Sequence, residues 1–304
     1  MINDKKQIKN FFDVQFYPKK QGIIKFYDNK KYKNKFITKK TKIASLGSCF
    51  ARNIAWWLKN NEYNYLKKEE MTDKNKKRLL SANWETTYNT SSIKQIFQYS
   101  FKEFNPITKW WELDGEMKDP YRKHIKYKRG TQNKNFEQHR KSSFQALSES
   151  EVIILTLGLI EIWKDKRDGS VFWGVPPISV YDKEIYEFHV MSVEECVNDL
   201  TYIKNTIDKY NPKCKLILSV SPVPLLATFR TDVDVIMANC ESKSTLRKSV
   251  GEFLKNNKNV YYFPSFEYLV FGEENPYKGD YRHVTTENIN KMMKLFEKMF
   301  VKEK

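Results

Sequence analysis

Two kinds of hydrophobic pattern alternate along the chain. Val152-Ile153-Ile154-Leu155-Thr156-Leu157 and Lys215-Leu216-Ile217-Leu218-Ser219-Val220 are apolar runs without period-two alternation, which predicts strands covered on both faces of a parallel sheet. The shorter run Ile43-Ala44-Ser45-Leu46, ended by Gly47, and Val260-Tyr261-Tyr262-Phe263 predict further strands. Between the runs, apolar residues recur at helical spacing: Ile54, Trp57 and Leu58 within 51–58, then Ile93, Ile96 and Phe97 behind a cap at Ser91 or Ser92. Residues 136–147, 192–210 and 244–256 read as helices, and a last one carries Ile289, Met292, Met293, Phe296 and Phe300. This order predicts an α/β fold of three layers, α/β/α, around a parallel sheet of about five strands.

Two stretches break the pattern. Residues 1–40 are polar and studded with aromatics, an irregular leader expected to pack on the domain. Residues 101–130, with Trp110-Trp111 and Asp119-Pro120, predict a loop-rich insertion over one end of the sheet. The 304 residues are 40% hydrophobic, enough for one large core, so 41–304 is read as a single domain.

Charge changes this picture little. The formal net charge is +17, but the excess is mostly Lys scattered beside abundant Asn. Blocks such as Lys39-Lys40, Lys67-Lys68 and Lys76-Lys77-Arg78 read as solvated faces, because no zinc spacing, basic zipper or stacking-aromatic motif accompanies them. No nucleic-acid partner is expected. The first residues carry charge without an apolar segment behind it, and no run is long enough to span a membrane, so a cytoplasmic protein without a transmembrane segment is expected. Cys49, Cys196, Cys214 and Cys240 form no C-x-x-C pair, which argues against disulfides and a zinc site.

In an open parallel sheet ligands collect beyond the carboxyl ends of the strands, here the loops starting at Gly47, Asn89, Gly158, Ser221 and Pro264. In the first, Gly47 allows a sharp exit from the strand, and Ser48-Cys49 stand at a helix N-terminus. That position lowers a thiol pKa, which makes Cys49 a candidate nucleophile. Ser48 is another, given an adjacent base. The plain alternative is that Ser48 caps the helix while Cys49 packs inside. Near the end of the chain, Asp280-Tyr281-Arg282-His283 spaces a carboxylate to orient an imidazole and stabilise its cation. His189, between Phe188 and Val190, reads rather as a packed or capping residue.

Gly47-Ser48-Cys49-Phe50-Ala51 spells the signature of the bacterial GSCFA family, which is similar to the SGNH or GDSL esterases and acyltransferases. The resemblance runs from about residue 40 to about 300, through 156–163, 220–224, 242–247 and 262–267. It implies an SGNH/flavodoxin-like fold, a nucleophile in the first loop, and the acid and base at Asp280 and His283. The pattern Gly-Asp-Ser, laid on Gly47, puts the nucleophile at Cys49. The superfamily's oxyanion donors are a Gly and an Asn, whereas Gly158-Leu159-Ile160-Glu161 offers no Asn. The donors assigned here are the backbone N–H of Cys49 or its neighbour and Asn89, with Gly158 a tight turn or a donor. Asn89 also suits a capping position. Glu161 and Trp163 are expected at the pocket, and Lys243 at an anionic group; helix capping and surface charge explain them equally well.

The function expected is an O-acyltransferase or esterase acting on a carbohydrate or glycan precursor, with Cys49 or Ser48 forming an acyl-enzyme and His283 as base. Acetyl-CoA is the expected acyl donor, with no tightly bound cofactor and no metal. The alternative is a non-catalytic glycan- or partner-binding module on the same scaffold.

Overall fold

The computed structural model describes residues 17–18, 22–69 and 80–303; Lys76-Lys77-Arg78 and most of the first 21 residues lie outside them. Helix α1 (Gly22–Asn29) comes first, then strand β1 (Ile43–Gly47), helix α2 (Cys49–Asn60) and helix α3 (Thr90–Ser100). Strands β2 (Trp111–Leu113), β3 (Glu116–Lys118) and β4 (Lys126–Tyr127) precede helix α4 (Gln132–Glu149) and strand β5 (Val152–Leu157). A hairpin of β6 (Glu161–Asp165) and β7 (Tyr186–Val190) leads into helix α5 (Val193–Tyr210) and strand β8 (Lys215–Val220). Helix α6 (Val235–Asn256), strand β9 (Val260–Tyr262), helix α7 (Ser265–Gly272) and helix α8 (Thr286–Phe300) complete the chain.

The central sheet is parallel, in the order β1-β5-β8-β9. Every residue of β1 and β5 is buried whichever face it points to, as unbroken apolar runs require of strands with helices on both sides. Helix α2 packs with α8, while α3, α4, α5 and α6 pack among themselves. Among the described residues the sheet has four strands rather than about five. Beside β1 the chain makes only one parallel bridge, Ile43 with Tyr65. The later segment before Asn89 cannot extend, because Asn83 and Glu85 take positive φ of 44° and 59°.

Other local differences have equally local causes. Helix α3 starts from Asn89, whose Oδ1 accepts the Ser92 N–H, and not from Ser91 or Ser92. Helix α6 starts at Val235 instead of near 244, because Asp234 accepts from the N–H groups of Ile236 and Met237. The leader contains α1, which packs on α7, and Ile37 pairs with Val301. In the insertion, β2, β3 and β4 form an antiparallel sheet; Trp111 packs on Phe172, and Arg122 bonds Asp119 and Tyr127 in a buried network. Among the described residues no helix is long and apolar enough to cross a membrane.

The β1–β5 register pairs Gly47 with Thr156. Gly47 has φ +135°, and a Cβ there would lie 2.3 Å from the Thr156 carbonyl oxygen and 2.6 Å from its Oγ1. Both the torsion and the space exclude a side chain. Gly47→Ala is expected to lower the unfolding free energy by about 3 kcal/mol or more, measured by urea denaturation; a loss below about 1 kcal/mol would contradict this packing.

Candidate active site

The backbone N–H of Ser48 continues the ladder by donating to the Thr156 carbonyl at 2.9 Å. Its side chain then starts α2: Ser48 Oγ accepts the Phe50 N–H at 3.2 Å and lies 3.0 Å from Thr156 Oγ1. Ser48 is buried and its hydroxyl is occupied by the cap. Cys49, the first helical residue, is half-buried and free of any disulfide. A helix terminus alone would depress its thiol pKa. Burial instead raises it, opposed by the positive charges of Arg52, Arg282 and Lys243. Tyr88, nearby, is raised by burial as well.

Arg52 is three residues after Cys49 on the same helical face, and Arg282 lies inside the Asp-x-x-His segment. Sequence reasoning misses both; the three-residue spacing from Cys49 is the available signal for Arg52. Arg282 donates to the Pro224 carbonyl at 3.3 Å, and its Nε is buried without a hydrogen-bond partner.

Lys243 was expected as surface charge, a helix cap or an anion ligand. It is buried instead, with Nζ donating to the carbonyls of Gly158 at 2.7 Å and Val223 at 2.8 Å. Among the described residues no carboxylate pairs with it. Burial, first, and the Arg282 charge lower its pKa to about 7, while Cys49 acts the other way.

Asp280 and His283 are brought together, at the tip of a hairpin closed by the Tyr277–Val284 bridge. Tyr281, between them, takes φ +54°, and Asp280 Oδ1 accepts the N–H groups of Arg282 and His283. Asp280 Oδ2 lies 2.5 Å from His283 Nδ1. The hydrogen bond from His283 holds the Asp280 carboxyl well below its ordinary range. A carboxylate on Nδ1 leaves Nε2 as the free nitrogen. The pair is half exposed, and no hydrogen bond joins His283 to Ser48 or Cys49.

The expected oxyanion donors are partly committed. Gly158 gives its N–H to the Tyr88 carbonyl at 2.7 Å, so that donor is already used in this arrangement. Asn89 uses Oδ1 as a cap, and its Nδ2 has no partner among the described residues. Glu161 accepts from Thr228 Oγ1 and the Phe229 N–H, tying down the loop after β8. His189 Nε2 lies 2.7 Å from Glu195, which belongs to the capping box of α5. Beside Lys243 opens a cavity of about 760 Å³, walled by Arg247 and Lys248 of α6 and by Phe266, Phe271 and Tyr277. Another, of about 640 Å³ between Phe101, Phe144 and Tyr210, contains none of the residues above.

The sequence pattern of the GSCFA family matches residues 42–296, most of the chain and every residue of this loop cluster. The chain belongs to the GSCFA family. No curated protein matches it. Solved structures similar to this GSCFA chain include a carbohydrate esterase family 3 from Talaromyces cellulolyticus, 9% identical over 84% of this chain and 94% of that one, TM-score 0.38. Another is a mutant acetyl esterase with acetate ion, 10% identical over 84% and 93%, TM-score 0.37. A Clostridium thermocellum family 3 carbohydrate esterase is 11% identical over 86% and 94%, TM-score 0.36.

The buried lysine links stability to pH. Below about 7, folded and unfolded Lys243 are both protonated, and folding bears the whole penalty of the buried charge. Between about 7 and the ordinary 10.5, the unfolded side chain holds a proton that the folded one has lost, so stability rises with pH. Cys49, raised by burial, acts in the opposite sense above its ordinary 9.0, which leaves a clean window from about 7 to 9. Relative to Lys243→Met, wild-type protein is expected to gain up to about 1.4 kcal/mol per pH unit across that window in urea titrations. A difference independent of pH would refute the assignment.

Proposed function

We propose that this GSCFA chain is an ester hydrolase or O-acyltransferase that acts on a carbohydrate or glycan precursor through a thioester on Cys49. The division of labour in the first loop carries this reading: the Ser48 hydroxyl is taken by the helix cap, while the Cys49 sulfur stands half-buried among Arg52, Arg282 and Lys243. The thiolate attacks the acyl carbon, the carbonyl π pair moves to oxygen, and collapse expels the leaving group with the C–S bond retained. Water or an acceptor hydroxyl then attacks the thioester and frees the sulfur. His283, with Nδ1 held by Asp280, protonates the leaving oxygen of an ester, or the leaving sulfur of a thioester donor, and later takes the proton of the attacking hydroxyl. In the transfer reaction acetyl-CoA supplies the acyl group, and the cavity of about 760 Å³ beside Lys243 has room for donor or acceptor.

A second reading has an observation of its own. The Gly158 N–H, already given to the Tyr88 carbonyl, favours a non-catalytic module that binds a glycan or a partner without turning it over.

Purified protein offered aryl acetates and acetyl-CoA decides between them. Cys49→Ala is expected to lower turnover about a thousandfold or more, and His283→Ala about a hundredfold or more. Ser48→Ala is expected to stay within about tenfold of wild type in rate while losing about 1 kcal/mol of stability through the cap. An acetyl adduct should map to Cys49 in the mass spectrum of trapped protein. Full turnover in Cys49→Ala would overturn the thioester route, and glycan binding with neither adduct nor turnover would establish the binding module.

A further inference from the structure

A glycine inside a helix destabilises it relative to alanine, and Gly251 stands well inside α6. An added Cβ there would lie 3.3 Å from Arg247 Nη1, closer than ordinary van der Waals contact. The bare backbone thus lets the guanidinium lie back along its own helix. Arg247 is fixed in two further ways: it lies over the Tyr262 ring, 4.5 Å from the centroid, and its Nε donates to Glu267 Oε1 at 2.7 Å. That bond spends Nε and leaves Nη1 and Nη2. Arg247 and Gly251 both line the cavity of about 760 Å³ between α6 and α7.

The two walls of this cavity differ in chemistry. Helix α6 supplies Lys243, Arg247, Lys248 and Lys255, a row about 18 Å long at the helical rise per residue. Helix α7 supplies Phe266 and Phe271, edge to face with ring centroids 5.8 Å apart, and Phe271 is 59% exposed. Four cations face two carboxylates, Glu252 and Glu267. Glu252 pairs with Lys248 at 2.9 Å on an exposed helix face, a contact weak enough for a phosphate to displace.

We propose that this cavity binds a nucleoside diphosphate group, with its phosphates on Arg247 and Lys248 and its base against Phe271. A guanidinium held flat offers parallel N–H groups to two phosphate oxygens. An exposed ring offers a face on which any base stacks. A bare anion would leave the aromatic wall unused, and a neutral sugar would leave the cations unused. The inner end of the cavity is Lys243, Pro222 and Tyr277, at the foot of the hairpin that carries His283. A group borne on the diphosphate extends from there toward the proposed site. This direction rests on the proposed acyl transfer, whose donor, coenzyme A, and whose acceptor, as a nucleotide-linked sugar, both carry such a diphosphate.

Titration calorimetry of the full chain with coenzyme A, UDP-N-acetylglucosamine, ADP and inorganic pyrophosphate reads binding without turnover. The inference can therefore fail while the thioester route stands, and the reverse. The three nucleotides are expected to bind more tightly than pyrophosphate. Arg247→Ala is expected to weaken all four about tenfold or more. Phe271→Ala should weaken the nucleotides about tenfold and leave pyrophosphate within about twofold. Lys248→Glu, on a solvent-facing side chain that folding does not need, should also weaken all four about tenfold. Tighter binding of coenzyme A assigns the cavity to the acyl donor, tighter binding of the nucleotide sugar to the acceptor, and either supports the proposal. It is overturned by absence of nucleotide binding at about 1 mM, or by affinities that Arg247→Ala and Lys248→Glu leave unchanged. Pyrophosphate binding as tightly as ADP, with no effect of Phe271→Ala, overturns it as well.

Discussion

The contact between Gly47 and Thr156 governs the geometry of the whole site. Two parallel strands end side by side, and one of them leaves its ladder so close to the other that only a residue without Cβ fits. From that exit the next N–H still bonds across to Thr156, the next hydroxyl caps a helix, and the residue after it carries the thiol. Each step inherits its position from the one before. Loosening the strand ends would displace the cap, the helix start and the sulfur together.

Around that loop the charges are predominantly positive. Arg52, Arg282 and Lys243 all act on the sulfur, while Asp280 is engaged with His283 out on the hairpin. Burial works against ionisation of the thiol, and the cations work for it. The result is a sulfur whose ionisation depends on its neighbours and not on the helix terminus alone. The hairpin is fastened to the loop after β8 twice, by Tyr277 to the Pro222 carbonyl and by Arg282 to that of Pro224. The exposed His283 therefore rides on a support tied to the same layer as Val223, one of the two carbonyls that hold Lys243.

Much of this was legible in the amino-acid sequence because it depends on local chemistry. Unbroken apolar runs gave β5 and β8 at their observed bounds, and the helix read over 192–210 is α5. The glycine-serine-cysteine turn and the Asp-x-x-His spacing pointed to two loops whose side chains the fold does order as pairs or caps. What was not legible depends on torsions and on distant partners. Positive φ at Asn83 and Glu85 keeps the stretch before Asn89 out of the sheet, which has four strands among the described residues. Lys243 lies in a segment that reads as an ordinary charged helix, and nothing within a few residues shows that its amine is buried against Gly158 and Val223. The acceptor of the Gly158 N–H, the Tyr88 carbonyl, lies 70 positions earlier in a segment without regular structure.

Placing the cap at 48 and the thiol at 49 gives the start of the helix and the sulfur beside the cations to two different residues. The side chain at 49 can be exchanged for another of similar size while the start of the helix, the strand exit and the Thr156 contact stay as they are. On such a scaffold sulfur at position 49 can be exchanged for oxygen by one codon, largely independent of folding.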